Sequence, residues 1–295
     1  MFSIGFLPWL DEKHLCVSIH TDASNTGWGG ILDQDSHPRQ ETRGYWNEET
    51  RRLPIAIREA MALQLTIESL LNDVRSTRID AFVDNKSVVD SWHRQTSKSP
   101  RITSIMKSLY TFCSARSLSL SVVFVPSKLN LADSLSRVVS DLDSHLSPGV
   151  WKKLDATFGP HSIDLMAIPE NVRYNPSGKP LRFFAPLPCP GCSGVNIFSQ
   201  VVSSQENAYV FPPFTLIGPV LKYLRSQPCT FTIVVPDLHP RKYWWPILRN
   251  GSFSSLQLGK KGDLNVLFFP SKSHSSNWVT RPLQWDLWAF KMLLV

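Results

Sequence analysis

The sequence predicts an α/β protein with two domains, each built from a sheet and packed helices. Two observations support this fold class. Segments with the period of a strand alternate with segments with the period of a helix along the 295 residues. The composition then changes near residue 140, because 17 of the 22 prolines and six of the ten tryptophans lie in 141–295. Such a change is typical of a domain boundary.

The first half predicts five strands and four helices. Apolar and polar side chains alternate over 16–21 and 28–32, which predicts a hairpin around the turn at 24–27. Pro54 opens a helix of about 17 residues in which apolar side chains recur at helical spacing. The remaining predicted elements are strands over 42–46, 77–83 and 118–124, helices over 86–93 and 100–116, and a final helix that contains Asp133.

Four acidic residues stand where they can meet. Asp22 ends the first predicted strand and Asp84 follows the fourth, so both can lie at one sheet edge. Glu59 shares a helix face with Leu63, and a carboxylate there is costly unless it is paired or binds a cation. Asp133 lies in the last helix. Each acid alone is compatible with a solvated side chain or a cap, whereas the four together indicate a metal site.

The chemistry of such a site follows from its ligands. Hard cations such as Mg²⁺, or Mn²⁺ in its place, prefer carboxylate oxygens to imidazole or thiolate. Two ions about 4 Å apart can activate a water and stabilise the attacking and leaving oxygens of a displacement at phosphorus. Clustered carboxylates would repel one another without these ions. The four acids therefore indicate a site for divalent cations, which would suit a displacement at phosphorus.

Four short motifs carry a family resemblance: Thr21-Asp22-Ala23-Ser24, Arg58-Glu59-Ala60, Val83-Asp84-Asn85 and Asn130-Leu131-Ala132-Asp133-Ser134-Leu135-Ser136-Arg137. With them, residues 16–138 resemble the ribonuclease H domain of retroelement reverse transcriptases. The last motif is similar to that of gypsy-type and DIRS-type elements. The resemblance implies a ribonuclease H-like mixed five-stranded sheet with flanking helices, and hydrolysis of the RNA strand of RNA–DNA hybrids to a 3′-hydroxyl and a 5′-phosphate. It assigns catalysis and the binding of two metal ions to Asp22, Glu59, Asp84 and Asp133.

The same resemblance implies contacts with the hybrid. Ser24, Asn25 and Asn85 are candidates for the minor groove, where the 2′-hydroxyl distinguishes RNA from DNA, and Lys128 is a further candidate. We expect the glycine-rich run 27–30 to permit a tight turn that brings Ser24 and Asn25 toward the hybrid. An upstream reverse transcriptase domain is the implied partner. Cellular members often carry a histidine before the last helix, and its absence from 126–131 puts the turnover rate in question.

The second half predicts a further α/β layer. Its predicted elements are strands over 161–167, 209–211, 231–235 and 265–269 and helices over 151–158 and 216–225. The segment 151–167 and the tetrapeptide Phe211-Pro212-Pro213-Phe214 resemble the adenine-N6 methyltransferase-like domain that follows ribonuclease H in DIRS-type elements. This resemblance implies a Rossmann-like domain of the methyltransferase type.

The methyltransferase-like domain is expected to be inactive. Active enzymes of that class place Asn, Asp or Ser where Phe211 stands, and a phenylalanine side chain cannot accept a hydrogen bond from the target amino group. No glycine-rich loop suits S-adenosylmethionine, which leaves Asp164 as the candidate contact for that cofactor. Phe214, after Pro212 and Pro213, could still stack on a flipped base.

The charge of +7 is uneven, with a net +1 in 1–140 and a net +6 in 141–295, which suits a polyanionic partner such as nucleic acid. No apolar run approaches the ~20 residues of a membrane span. The five cysteines form an odd set without framework spacing, as in reduced proteins. We therefore expect an intracellular protein, in the cytoplasm or the nucleus, without a membrane partner.

These predictions divide the chain into an N-terminal connection (1–15), a ribonuclease H-like domain (16–140), a linker (141–150) and an inactive methyltransferase-like domain (151–295). Two other functions stay open. One is a retroelement remnant that binds nucleic acid without cleaving it. The other is an active DNA adenine methyltransferase, against which Phe211 argues.

Overall fold

The chain separates into two compact units. The computed structural model describes residues 15–34, 37–271 and 277–293, so the predicted connection 1–15 lies outside the described residues except for its last residue. Among the described residues, the first unit contains those up to Ser24, Trp28–Arg43 and Leu53–Ser136, and the second contains Asn25–Gly27, Gly44–Arg52 and those from Arg137 onward.

The described residues up to Ser136 form one mixed sheet and five α-helices. Its strands are β1 (Cys16–Ala23), β2 (Gly27–Asp33), β3 (Gln40–Tyr45), β4 (Arg78–Val83) and β5 (Ser119–Phe124). Its helices are α1 (Glu48–Arg51), α2 (Ile55–Leu70), α3 (Lys86–His93), α4 (Pro100–Ala115) and α5 (Asp133–Ser136). The strand order is β3-β2-β1-β4-β5, with β1 antiparallel to β2 and parallel to β4, and β4 parallel to β5. The predicted five-stranded mixed sheet is confirmed.

Local sequence explains where these elements begin and what they bury. Alternate residues of β1 face the core, with Ile19 fully buried. Leu63 and Ile67, four residues apart on α2, are also fully buried and pack α2 against the sheet. Ser99 caps α4, since its hydroxyl accepts a hydrogen bond from the backbone N–H of Ile102 at 3.4 Å. The one-turn helix α1 was not predicted, because the sequence around it is polar throughout.

The chain after Ser136 contains ten strands and three helices among the described residues. The strands are β6 (His145–Leu146), β7 (Ile163–Asp164), β8 (Arg182–Ala185), β9 (Gly194–Val195), β10 (Asn207–Val210), β11 (Thr230–Pro236), β12 (Ser254–Gly259), β13 (Leu267–Pro270), β14 (Trp278–Thr280) and β15 (Leu287–Met292). The helices are α6 (Pro148–Phe158), α7 (Ile217–Leu224) and α8 (Trp244–Gly251). The predicted α/β composition of this half is confirmed.

The main sheet of the second unit has seven strands in the order β12-β15-β11-β10-β7-β8-β9. The five strands from β11 to β9 are parallel to one another, whereas β15 is antiparallel to both β11 and β12. A smaller antiparallel sheet has the order β14-β13-β6. No helix in the described part of the chain is long and apolar enough to cross a membrane.

The second unit departs from the predictions in three places. The strand predicted over 161–167 is only the two-residue β7. The segment 141–150, which the sequence suggests is a linker, contains a 3-10 helix, β6 and the start of α6, and its Leu146 is fully buried. The unpredicted elements are helix α8 and strands β6, β8, β9, β12, β14 and β15. In β15 nearly every residue is buried, so the alternation that predicts a strand is absent.

Candidate metal centre

Three carboxylates converge at one edge of the first sheet. Asp22 lies near the end of β1, Asp84 follows β4, and Glu59 lies in α2. Thr21 pairs with Val83 across the parallel strands β1 and β4, so Asp22 and Asp84 emerge at the same end. One oxygen atom from each of the three carboxylates lies within 4.8 Å of the other two. This spacing allows the three side chains to hold a divalent cation together.

Burial and mutual repulsion set the protonation of this cluster. The side chains of Asp22 and Glu59 are buried, each residue being 3% exposed, whereas Asp84 is half-buried. Burial, followed by the negative charges of Asp22 and Asp84, raises the pKa of Glu59 to about 9. Glu59 therefore carries a proton at neutral pH when no cation is bound, because the opposing charge of Arg58 is the smaller effect.

The cluster fits a divalent cation. Oε2 of Glu59 is buried and has no hydrogen-bond partner among the described residues. A buried polar atom is normally satisfied, so an oxygen without a partner beside two further carboxylates is best explained as a ligand atom. The oxygen donors also suit Mg²⁺ or Mn²⁺ better than softer metals.

The last motif of the first unit is anchored to the end of β1 by an asparagine. The side-chain amide of Asn130 donates to the backbone oxygen of Thr21 at 2.8 Å, and its Oδ1 accepts from the N–H of Ala132 at 3.2 Å. Asn130 is buried, so both bonds are shielded from water. The pair of bonds fixes the start of α5 next to Asp22.

A second network joins β1, α2 and α5. The hydroxyl of Ser136 donates to Oδ2 of Asp22 at 2.5 Å, and the hydroxyl of Ser24 donates to the backbone oxygen of Ser136 at 2.6 Å. The Arg58 guanidinium donates to the backbone oxygen of Ser24. All four side chains are buried. The network therefore sets the orientation of the Asp22 side chain.

Glycine has a different role here from the one predicted. None of the glycines at 27, 29 and 30 has the positive φ for which a turn requires glycine. A Cβ at Gly29 would lie 2.6 Å from Cβ of Leu135 and 2.7 Å from the backbone nitrogen of Ser136. Gly29 is thus the position that lets α5 approach β2 closely enough for Ser136 to reach Asp22.

Asp133 is not among the three clustered acids. It is half-buried and is the first residue of α5, and it is not in the group of oxygen atoms within 4.8 Å. Its role as the fourth ligand stays a prediction.

The predicted substrate-contact residues lie in different environments. Ser24 is buried and its hydroxyl is engaged with Ser136, whereas Asn25 is exposed. Asn85 caps α3, since its Oδ1 accepts from the backbone N–H of Ser87 at 3.0 Å. Lys128 is exposed on the 3-10 helix Ser127–Leu129. Their contacts with a hybrid stay predictions.

No protein-family model matches the sequence, and no curated protein matches it. Some solved structures are similar. The N-terminal RNase H domain of Rv2228c from Mycobacterium tuberculosis, a fusion with maltose binding protein, is 18% identical with a TM-score of 0.31, covering 41% of this chain and 90% of that one. RNase H1 from Halobacterium salinarum NRC-1 is 17% identical with a TM-score of 0.33. The match covers 41% of this chain and 93% of that one. LC11-RNase H1, from compost and in complex with an RNA/DNA hybrid, is 16% identical with a TM-score of 0.33 and coverage of 41% and 91%.

The sequence alone did not identify the residues whose hydrogen bonds hold Asp22 and the end of β1 in place. Ser136, Asn130 and Arg58 all stand inside the motifs quoted above, but only the acids were assigned a role. The spacing of Asp133 and Ser136 offers a signal, because residues three apart lie on one helix face. Nothing in the sequence indicates that Ser136 faces Asp22, since that depends on how α5 packs on β2.

The residues predicted from the methyltransferase resemblance gather at one edge of the second sheet. Asp164 ends β7 and pairs with Tyr209 of β10, and the tetrapeptide from Phe211 to Phe214 follows β10 directly. Burial raises the pKa of Asp164 to about 6, against the opposing effect of the Arg173 charge. The Phe214 ring makes an edge contact with Trp285 at 4.8 Å. Pro212 is buried and Pro213 half-buried.

Proposed function

We propose that residues 16–140 form a ribonuclease H-like domain that hydrolyses the RNA strand of RNA–DNA hybrids with two divalent cations. One observation carries this proposal: the cluster of Asp22, Glu59 and Asp84, in which a buried oxygen of Glu59 has no partner among the described residues. A tight set of carboxylates, of which Glu59 holds a proton without a cation, suits phosphodiester hydrolysis assisted by metal ions.

Each residue of the centre has a defined task in this proposal. Asp22, Glu59, Asp84 and Asp133 would hold two Mg²⁺ ions, which would supply activation of a water and neutralisation of the charge that develops at phosphorus. Glu59 releases its proton as it becomes a ligand. Ser136 holds the Asp22 carboxylate in the orientation that a metal ligand needs. The burial of Asp22 and Glu59 limits the movement of their side chains.

Selectivity for a hybrid is proposed to come from polar residues that lie close to the acids in the sequence. Asn25 and Lys128 are both exposed, and the half-buried Asn85 follows Asp84 directly. Amide groups can hydrogen-bond the 2′-hydroxyl of an RNA strand, and the lysine can pair with a phosphate. The motif from Asn130 to Arg137 supports a retroelement origin, with an upstream reverse transcriptase domain as partner.

The proposal is tested by cleavage of a labelled hybrid. The purified full chain with Mg²⁺ is expected to cut the RNA strand of an RNA–DNA hybrid but not a DNA duplex, and EDTA is expected to stop the reaction. Asp22→Asn should lower the rate at least about a hundredfold, because it removes a charged ligand.

Asp90→Asn is the matched control, since Asp90 is an exposed acid of α3 whose ion pair with Arg94 is on the surface. It is expected to keep the rate of the unmodified chain. The opposite outcome is that the hybrid stays intact and that the unmodified chain and Asp22→Asn bind it equally well. This outcome would favour a protein that binds nucleic acid without nuclease activity.

For residues 151–295 we propose a Rossmann-like, methyltransferase-type domain that has lost its activity. The parallel strands β7 to β11, numbered from one to five, lie in the order 3-2-1-4-5, as in doubly wound folds. In such folds the ligand crevice lies outside the carboxyl ends of the first and fourth strands, where Asp164 and the tetrapeptide 211–214 stand. Phe211 supports the loss of methyl transfer. Transfer of label from S-adenosylmethionine to DNA by the purified chain would contradict it.

A further inference from the structure

The positive charge of the second half is concentrated in one segment. Residues 207–262 contain seven Lys and Arg residues and a single acid, Asp237. The rest of 141–295 contains eight residues of each sign, so the whole excess lies in this segment. It includes α7 and α8, neither of which contains an acid. The seven cations are Lys222, Arg225, Arg241, Lys242, Arg249, Lys260 and Lys261.

Two of these cations line an open cleft, and a third is next in sequence to a residue that lines it. The cleft between α7 and α8 has a volume of about 490 Å³ and is lined in part by Lys222, Arg225 and Tyr243. Lys242 precedes Tyr243 in sequence. Lys222, Arg225 and Lys242 are exposed and form no ion pair with any residue that the structure describes. Arg241, by contrast, pairs with Asp237 at 3.5 Å.

Tyr243 places an aromatic ring at this cleft. Tyr243 is 72% exposed. Its hydroxyl end rests against Gly218 of α7, where a methyl group would overlap it. The next two residues, Trp244 and Trp245, are buried and fix the start of α8. The ring is therefore held in one place with much of its surface open to solvent.

We propose that the α7–α8 cleft binds single-stranded nucleic acid, with phosphates at Lys222, Arg225 and Lys242 and one base stacked on Tyr243. Cations beside an exposed aromatic ring are the combination by which proteins hold single strands. A duplex offers the phosphates but keeps its base faces stacked inside, so it cannot use Tyr243. A volume of about 490 Å³ also lies within the range of nucleotide-sized ligand sites.

This inference is independent of the proposed nuclease activity, and its test is kept separate from it. Binding is measured with EDTA present and with a DNA probe, fluorescein-labelled dT20, so that no hydrolysis enters. The readout is fluorescence anisotropy of the full chain at several salt concentrations, with a 20-base-pair duplex as the second probe. We expect the chain to bind dT20 more tightly than the duplex.

The charge component is tested by Lys222→Gln with Arg225→Gln. The pair should weaken dT20 binding about tenfold at 0.1 M salt and make the dependence of log Kd on log salt shallower by about 1.4. Lys152→Gln with Lys153→Gln is the matched control, because both lysines are exposed on α6 of the same unit. The control should change the affinity less than twofold.

The stacking component is tested at Tyr243. Tyr243→Ala should weaken dT20 binding roughly tenfold, and Tyr243→Phe should restore it, since stacking needs only the ring. Tyr174→Ala is the matched control, because Tyr174 is also exposed. The proposal is overturned if the charge pair weakens binding no more than its lysine control, if Tyr243→Ala behaves like Tyr174→Ala, or if the duplex binds as tightly as dT20.

Discussion

The hydroxyl oxygen of Ser136 lies 2.5 Å from Oδ2 of Asp22, so a hydrogen bond joins the first and last motifs of the first unit across 114 positions of sequence. Both residues are buried, with exposed fractions of 1% and 3%. A hydroxyl that donates to a buried carboxylate orients it and stabilises its charged form. Ser136 is therefore a positioning residue for the cluster, and it does not need to touch the substrate.

Ser136→Ala is expected to lower kcat for hybrid cleavage about tenfold, because a hydrogen bond to a charged group contributes on the order of 1.5–3 kcal/mol. It should leave KM for the hybrid nearly unchanged. Steady-state cleavage at saturating Mg²⁺ measures both constants. Ser134→Ala, at an exposed neighbouring position, is the control, and its kcat and KM should equal those of the unmodified chain. Unchanged kcat in Ser136→Ala would show that Asp22 needs no such support.

Gly29→Ala is expected to move α5 away from β2. The new methyl group would come within 2.6 Å of Leu135 and 2.7 Å of the Ser136 backbone nitrogen, and backbone cannot give way cheaply. We expect a loss of roughly 1–3 kcal/mol in the free energy of unfolding, together with a loss of cleavage rate. Urea unfolding provides the first measurement. Gly149→Ala is the control, because a Cβ there would meet no atom within 4 Å apart from its chain neighbours and the backbone of its own helix. Equal stability of the two variants would contradict the prediction.

Glu59→Gln is expected to stabilise the metal-free protein at neutral pH. The folded protein holds a proton on Glu59 up to a pKa of about 9, whereas the unfolded chain releases it near the ordinary value of 4.5. The free energy of unfolding therefore falls as pH rises between these two values. Glutamine does not titrate, so Glu59→Gln removes this pH dependence. It should raise the free energy of unfolding by on the order of 2 kcal/mol at pH 7.

Urea unfolding in EDTA at pH 5, 7 and 9 measures this difference, which should grow with pH. Excess Mg²⁺ should reverse its sign, because a cation stabilises only the charged glutamate. Glu49→Gln, at an exposed acid of α1, should show neither effect. A difference that does not change between pH 5 and pH 9 would contradict the pKa on which the prediction depends.

Asp133→Asn distinguishes a fourth ligand from a residue outside the site. Asp133 is half-buried at the start of α5 and lies outside the group of three clustered carboxylates. If it completes the site for the second ion, its replacement should raise the Mg²⁺ concentration needed for half-maximal cleavage about tenfold. Asp141→Asn, at an exposed acid nearby in sequence, should leave the Mg²⁺ dependence unchanged. An unchanged dependence in Asp133→Asn would exclude a ligand role.

Elements with a strong local period were predictable from the sequence. Helix α2 was predicted to open at Pro54, and it begins at Ile55 because its apolar residues repeat at helical spacing. The strand predicted over 118–124 is β5, Ser119–Phe124. Strand β7, in contrast, is only two residues long, and strands of that length carry no period to detect.

The sequence by itself determined which acids could form the site. Glu59 was assigned because a carboxylate on an apolar helix face needs a cation or a partner, and a strand end could hold Asp22 rigidly. Only the tertiary structure decided that three of the four acids meet within 4.8 Å, that Ser136 reaches Asp22 and that Gly29 makes room for it. The physical reason is that periodicity reports the environment of one segment. Contacts between residues 114 positions apart depend instead on how separate elements pack. A glycine that permits a turn and a glycine that permits a close approach of two elements also look the same in the sequence.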